Sequence, residues 1–385
     1  MEFFTDNINL IVFLPIIMCA IIGFNRLISN KLDKATIFSI SIVSAFICMI
    51  FSAAVFDFSV IKGLSLTENF QWIKLENINL FLGTYIDKIS AIFLLLINVI
   101  AFFIQNFAFF KLRQHNDFSR LLLYINFFTL GLNGIFISSN LFQTYLFCEI
   151  AGVASYLLIN FDFENREESK AAIKSYIFNR VGDLTLLLCV LTTMYYSIVY
   201  NELSDISALS YSNMGNIAAS IHSLMSDPVF VLFCAILIFV IIMKFMEAFI
   251  YITFESSNKT DTSRIILYQN SLLSLVGVYL FLRLNPFFFE LGSSVLWTIP
   301  LILLIFLIFG IANRIFKPLC YAAAWVEKYI IETFINVAGL VIRALAYLSG
   351  RFQGGNFQSY LIYSIFGLVV IMAFVLIFYV VLIKV

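Results

Sequence analysis

Runs of apolar residues long enough to cross a bilayer recur from one end of this chain to the other, and they limit its fold more than any single motif does. A spanning helix needs about 20 apolar residues for a hydrocarbon core roughly 30 Å thick. Only helices and closed barrels satisfy their own backbone hydrogen bonds there. The chain has 385 residues, of which 62% are hydrophobic and 12% charged, with a mean hydropathy of +0.99. Soluble domains carry about 25% charged residues. The fold class is therefore all-α: a polytopic membrane protein with about ten transmembrane helices and a C-terminal amphipathic segment lying laterally along the interface.

In order, span 1 is read at Ile8–Phe24, as a first span rather than a cleaved leader, and span 2 at Thr36–Phe56. Within residues 57–86 the alternation in QWIKLENINLFL predicts a short surface hairpin. Spans 3 to 6 fall at Ile86–Phe110, Leu121–Ser138, Leu141–Asn160 and Ile173–Tyr196. Polar residues 201–226 are expected along the surface, before spans 7 (Pro228–Phe254), 8 (Ile265–Phe289) and 9 (Ser294–Ile315). Phe316–Arg351 is amphipathic, Gly354 and Gly355 punctuate the chain, and span 10 follows at Phe357–Ile383. This gives N-terminal helices with the hairpin (1–110), core helices (111–290), span 9 with the lateral segment (291–356) and a last helix (357–385).

Basic residues crowd alternate loops: Arg26, Lys31 and Lys34; Lys111, Arg113 and Arg120; Arg166, Lys170 and Lys174; Lys259 and Arg264; then Arg314, Lys317, Lys328, Arg343 and Arg351. The intervening segments carry few, Arg283 among them. The positive-inside rule then puts both termini on the outer side. A net charge of zero argues against a nucleic-acid partner. The six cysteines never form CxxC and read as packing residues, and the two histidines, His115 and His222, sit in connecting segments, which disfavours a haem or metal site. The aromatic residues read chiefly as lipid-facing surface.

Charges inside spans cost about 2.5–3.5 kcal/mol each at a helix centre, so each needs a reason. Glu149 lies near the middle of span 5, on one face with Gly152, Val153 and Tyr156. It suits either an ion path between helices or a structural partner for a nearby Arg or Lys. Lys244 lies within span 7 and suits a proton relay, or simple neutralisation by Glu247 one turn on. Arg180 and Asp183, one turn apart in span 6, form an intrahelical pair or tune Glu149. Gln269 in span 8 is expected to face the interior, holding a water or bonding between helices.

CEIAGVASYLLINF followed by AAIKSYIFNRVGD resembles the signature of the antiporter-like subunit 5 (chain L) of respiratory complex I. FQWIKLENINLFLGTYIDKISAIFLLLI, HNDFSRLLLYINFFTL and the segment from Trp325 to Gly367 resemble other parts of that subunit. The resemblance implies a proton-translocating half-channel in which Glu149 is the span-5 glutamate and Lys244 the span-7 lysine, with Arg180 and Asp183 in NRVGD. It implies that this chain binds no cofactor itself, and that NADH, flavin, iron–sulfur clusters and quinone belong to partner subunits. The implied partners are other complex I membrane-arm subunits and membrane lipid. The implied home is a mitochondrial inner membrane or a bacterial plasma membrane.

The departures are specific. The family's prolines and HxWLPDAM after the lysine are gone, Gln269 stands where its span-8 histidine would be, and Cys148 replaces the tryptophan before the glutamate. Most of the second inverted repeat is missing. The expected function is a membrane-arm subunit that either still carries protons or only braces the complex. The alternatives are a subunit of a multi-subunit cation/proton antiporter, or an assembly protein derived from the family.

Overall fold

Helices α1 (Leu10–Ile28) and α2 (Lys34–Phe56) open the chain, in a computed structural model that describes residues 7–28, 33–75, 78–115, 117–163, 166–199, 209–254, 265, 266, 269 and 271–290. A short π-helical turn ends α2, and Gly63, at φ 70°, redirects the backbone into strands β1 (Leu66–Leu75) and β2 (Ile78–Ile86). These pair antiparallel, Leu66 with Ile86 and Leu75 with Ile78, so the expected hairpin forms.

Helices α3 (Lys88–Leu112), α4 (Phe118–Ile137), α5 (Leu141–Ile159) and α6 (Arg166–Val199) follow, matching spans 3 to 6. Side-chain caps fix two of their starts. Asp87 accepts from the Ser90 amide at 2.9 Å, and Asn140 accepts from the Gln143 amide at 2.8 Å. Helix α7 (Met214–Leu224) precedes α8 (Asp227–Phe254), which carries Lys244, and α9 (Ser274–Glu290) is the last described element. Six helical segments in the described part, from Lys34–Ile61 to Asp227–Met246, are long and apolar enough to cross a membrane, and Leu10–Arg26 is a shorter apolar helix.

The helices alternate in direction, and contacts among the loops show it. Arg26 pairs with Asp117 at 3.0 Å, Lys34 donates to the His115 carbonyl, and Arg120 donates to the Phe161 carbonyl. The loops after α1, α3 and α5 therefore share one end. At the other end Thr84 bridges to Ser138, and Asn140 bridges to Ser210. Buried amides join the first four helices. Asn98 donates to Asn133, which donates to the Ile11 carbonyl, while Asn126, Gln105 and Ser41 form a second cluster. Inside lipid, such bonds and close packing hold helices together where apolar burial cannot.

Two expectations need correction. The segment 201–226 is more than a polar surface strand: Tyr211, Met214, Ile217, Ala218 and Ile221 are buried, because the described part of the segment turns an apolar face inward. Nor are the aromatics mainly lipid-facing. Phe13, Phe103 and Phe110 are exposed, but Phe118, Phe128, Phe136, Phe230, Phe287 and Phe288 are fully buried, since their bulk fills the space between helices. Every described element belongs to one unit, Met1–Leu304. Span 9, the amphipathic segment Phe316–Arg351 and span 10 lie outside the described residues.

Candidate functional site

Helices α5 and α6 run antiparallel and set residues opposite one another like rungs. Tyr156 faces Tyr176, with ring centroids 5.2 Å apart. Gly152 faces Asn179, and Glu149 forms an ion pair with Arg180. Tyr145 stands within electrostatic reach of Asp183 and Arg180. The Arg180 guanidinium also lies 4.6 Å above the Tyr176 ring, a cation–π contact that holds its planar fork in place. Glu149 and Arg180 keep 20% and 29% of their side-chain surface exposed.

Helix α8 packs against the same turn of α6. Lys244 places its ammonium 2.6 Å from Asp183 Oδ1 and donates to Asn179 Oδ1 at 2.5 Å. Both side chains are buried here: Lys244 is 2% exposed and Asp183 fully so. Asn179 and Asp183 are four residues apart, on one helix face, so together they form a two-point cradle for the amine. Close approach of α8 to its neighbours uses small residues: Gly182 lies against Met243, and a Cβ on Gly277 would come 2.7 Å from the Phe245 amide nitrogen.

The expected site residues thus gather on consecutive turns, and Glu149 takes Arg180 as its partner, one of the arrangements the spacing left open. Arg180 and Asp183 do not neutralise each other; Arg180 pairs with Glu149 of α5 and Asp183 with Lys244 of α8. Glu149 and Lys244 are linked through α6, which binds each of them. The Glu247 side chain lies outside the described residues. Gln269 is buried, as expected, yet neither amide atom has a hydrogen-bond partner among the described residues, so it joins neither Lys244 nor a neighbouring helix directly. Sequence reasoning missed Asn179 and Tyr145. Their signals were present: Asn179 lies four residues before Asp183, and Tyr145 four before Glu149.

A second buried charge escaped functional notice altogether. Arg283, read only as a stray cation in a poorly charged loop, is 5% exposed and forks onto Asp87 with two bonds of 2.8 Å. It also donates to Ser90 and Tyr279, and sits 5.0 Å from the rings of Tyr85, Tyr211 and Tyr279. Burial above all pushes the Tyr211 phenol well above its ordinary range, so it stays protonated and pairs with Thr144 at the start of α5. No grouping of His, Cys, Asp and Glu suited to a metal ion occurs among the described residues.

Residues 138–316, which include every member of the ladder, match the family described as NADH:quinone oxidoreductase/Mrp antiporter, transmembrane. That likeness is to an antiporter-like membrane family. Within it, residues 72–120 match the N-terminus of chain 5 of NADH-ubiquinone oxidoreductase (complex I), so the particular kinship is with subunit 5. Chloroplastic NAD(P)H-quinone oxidoreductase subunit 5 of Chara vulgaris is 29% identical over 282 residues, covering 72% of this chain and 41% of the relative. That of Zygnema circumcarinatum is 25% identical over 365 residues, covering 93% and 49%. The chain therefore spans less than half the length of these curated relatives. Among solved structures, a chain of the membrane-bound sulfane sulfur reductase, an archaeal respiratory membrane complex, matches at 16% identity and a TM-score of 0.44, over 63% of this chain and 44% of that one.

Proposed function

We propose that this chain is a membrane-arm subunit of a complex I-type NADH:quinone oxidoreductase, and that α5, α6 and α8 form a proton-transfer station within it. The observation that carries the reading is the amine of Lys244 held 2.6 Å from the carboxylate of Asp183, with both side chains buried. A lysine out of water gives up its proton readily unless a counter-charge holds it, so its state follows the geometry of that one contact. In this reading Lys244 takes and releases the proton and Asp183 holds it charged. Glu149 controls Asp183 indirectly. While ionised it keeps Arg180 to itself; once protonated it frees Arg180, one turn from Asp183, to compete for that carboxylate. Lys244 then loses its counter-charge and releases its proton. An amide cannot accept a proton as an imidazole does, so Gln269 serves by ordering water on the onward path.

The redox groups of the reaction, namely NADH, flavin, iron–sulfur clusters and quinone, belong in this proposal to partner subunits. The membrane is that of a mitochondrion or a bacterial cell, with both termini outside and the segment Phe316–Arg351 bracing the neighbours. Lys244→Ala is expected to abolish proton pumping while the complex assembles and NADH oxidation continues; pumping at the normal proton-to-electron ratio would reject the relay. A second reading, a cation/proton antiporter subunit, has support because the matched family includes Mrp antiporters. Sodium-dependent proton exchange in vesicles without NADH would favour it.

A further inference from the structure

We propose that Asn179 is the positioning residue through which α5 acts on Lys244. Its Oδ1 accepts from the ammonium, while its Nδ2 lies against the α5 backbone at Gly152. The inference rests on the proton-transfer reading above and adds to it a residue with a separate task.

The orientation follows from chemistry. An ammonium only donates, so the amide oxygen must face Lys244, and the Nδ2 side is left for α5. There Gly152 makes room. A Cβ at that position would collide with Nδ2, and all three of the nearest atoms it would meet belong to Asn179. The glycine thus serves the amide rather than a backbone–backbone contact. That role falls to the preceding residue, Ala151, whose backbone a Cβ on Gly131 of α4 would approach to 2.8 Å. Asn179 is 5% exposed, so few other positions are open to it.

The residue type matters as much as the place. With Asp183 alone, one negative charge balances one positive charge. A second carboxylate at 179 would overbalance the pair and hold the proton, whereas an aliphatic side chain would leave a buried ammonium N–H unpaired. An amide does neither, and so leaves Lys244 free to change state. Because the next residue, Arg180, binds Glu149, any shift of α5 that follows protonation of Glu149 reaches Lys244 through residues 179 and 180 together. Among the described residues the other groups around this turn include Asp183 on α6 and Tyr145 and Glu149 on α5; on α9, Arg283 pairs with Asp87 and donates to Tyr279, and Glu290 pairs with His222.

The test uses the assembled complex in its native membrane, with pumping and electron transfer measured across pH. Asn179→Asp is expected to move the alkaline limb of the pumping profile upward by about one pH unit. Asn179→Leu is expected to lower pumping about tenfold with electron transfer retained, and Gly152→Ala to lower it by less. Lys244→Ala serves as the reference. If it stops pumping while Asn179→Asp keeps the parental pH profile, the role of Asn179 is overturned and the relay stands. If Lys244→Ala pumps normally, both fall. Should the Leu or Ala variants fail to assemble, the nearly isosteric Asp variant still decides.

Discussion

A lysine and an aspartate buried side by side stabilise each other far more than either stabilises the fold. Removing both charges together is often close to neutral, whereas removing one leaves the other stranded at about 3–5 kcal/mol. Asp183→Asn is therefore expected to lower the thermal stability of the purified complex, and Lys244→Met combined with Asp183→Leu to restore much of it without restoring pumping. A double variant no more stable than Asp183→Asn would mean that the pair is not isolated as described. Glu149 and Lys244 were legible in the sequence because a charge in the middle of an apolar run has few ordinary reasons. The choice among their partners was not. Spacing along a helix says that Arg180 and Asp183 can meet, but which of them turns toward a neighbour depends on which helices flank α6, and periodicity does not encode that. Arg283 was misread for the same reason: its partner, Asp87, is distant in the chain and caps another helix.

At the scale of elements, the helices are held by close approach and by buried polar bonds. A side chain added at Gly131 would press on the Ala151 backbone, which cannot rotate away, so Gly131→Ala is expected to separate α4 from α5 and cost about 1–3 kcal/mol. Chemical denaturation of the detergent-solubilised protein would measure it, and an unchanged midpoint would show that the helices adjust freely. The Asp87–Arg283 fork ties the start of α3 to α9. Truncating one member of a buried, hydrogen-bonded charge pair costs about 2–5 kcal/mol, and Arg283→Met belongs toward the lower end because Asp87 remains 22% exposed. Arg283→Lys is expected to recover little, since an ammonium cannot make two parallel bonds. Equal stability of Arg283→Lys and the parent would show that the fork geometry adds nothing. The hairpin was readable from the alternation in QWIKLENINLFL, although the irregularity between Gln71 and Ile73 was not. The docking of α7 was missed, although Met214, Ile217, Ala218 and Ile221 recur at helical spacing, because the polar residues of the segment around them outweighed that face.

At the scale of the molecule, the half-exposed Glu149–Arg180 pair poses an energetic problem. Beside it runs an apolar stripe on α6: Ile173, Val181, Leu184, Leu188 and Leu191, each 40–60% exposed. Apolar residues there suit lipid well, but ionised groups that keep 20% and 29% of their surface do not. A charge left in hydrocarbon costs about 2.5–3.5 kcal/mol on insertion scales. A neighbouring subunit seated on this face would exclude lipid from the pair and raise the strength of its attraction. In the proposed complex α6 is therefore an interface helix. Leu184→Cys or Leu188→Cys, carrying a photoactivatable cross-linker, is expected to capture another membrane-arm subunit in the assembled complex. Leu96→Cys on α3, where Leu96 is 38% exposed away from the charged ladder, is expected to label lipid instead. Lipid adducts alone at Leu184 and Leu188 would mean that the pair faces the bilayer, and the switch assigned to Glu149 would then have to work against lipid rather than within protein.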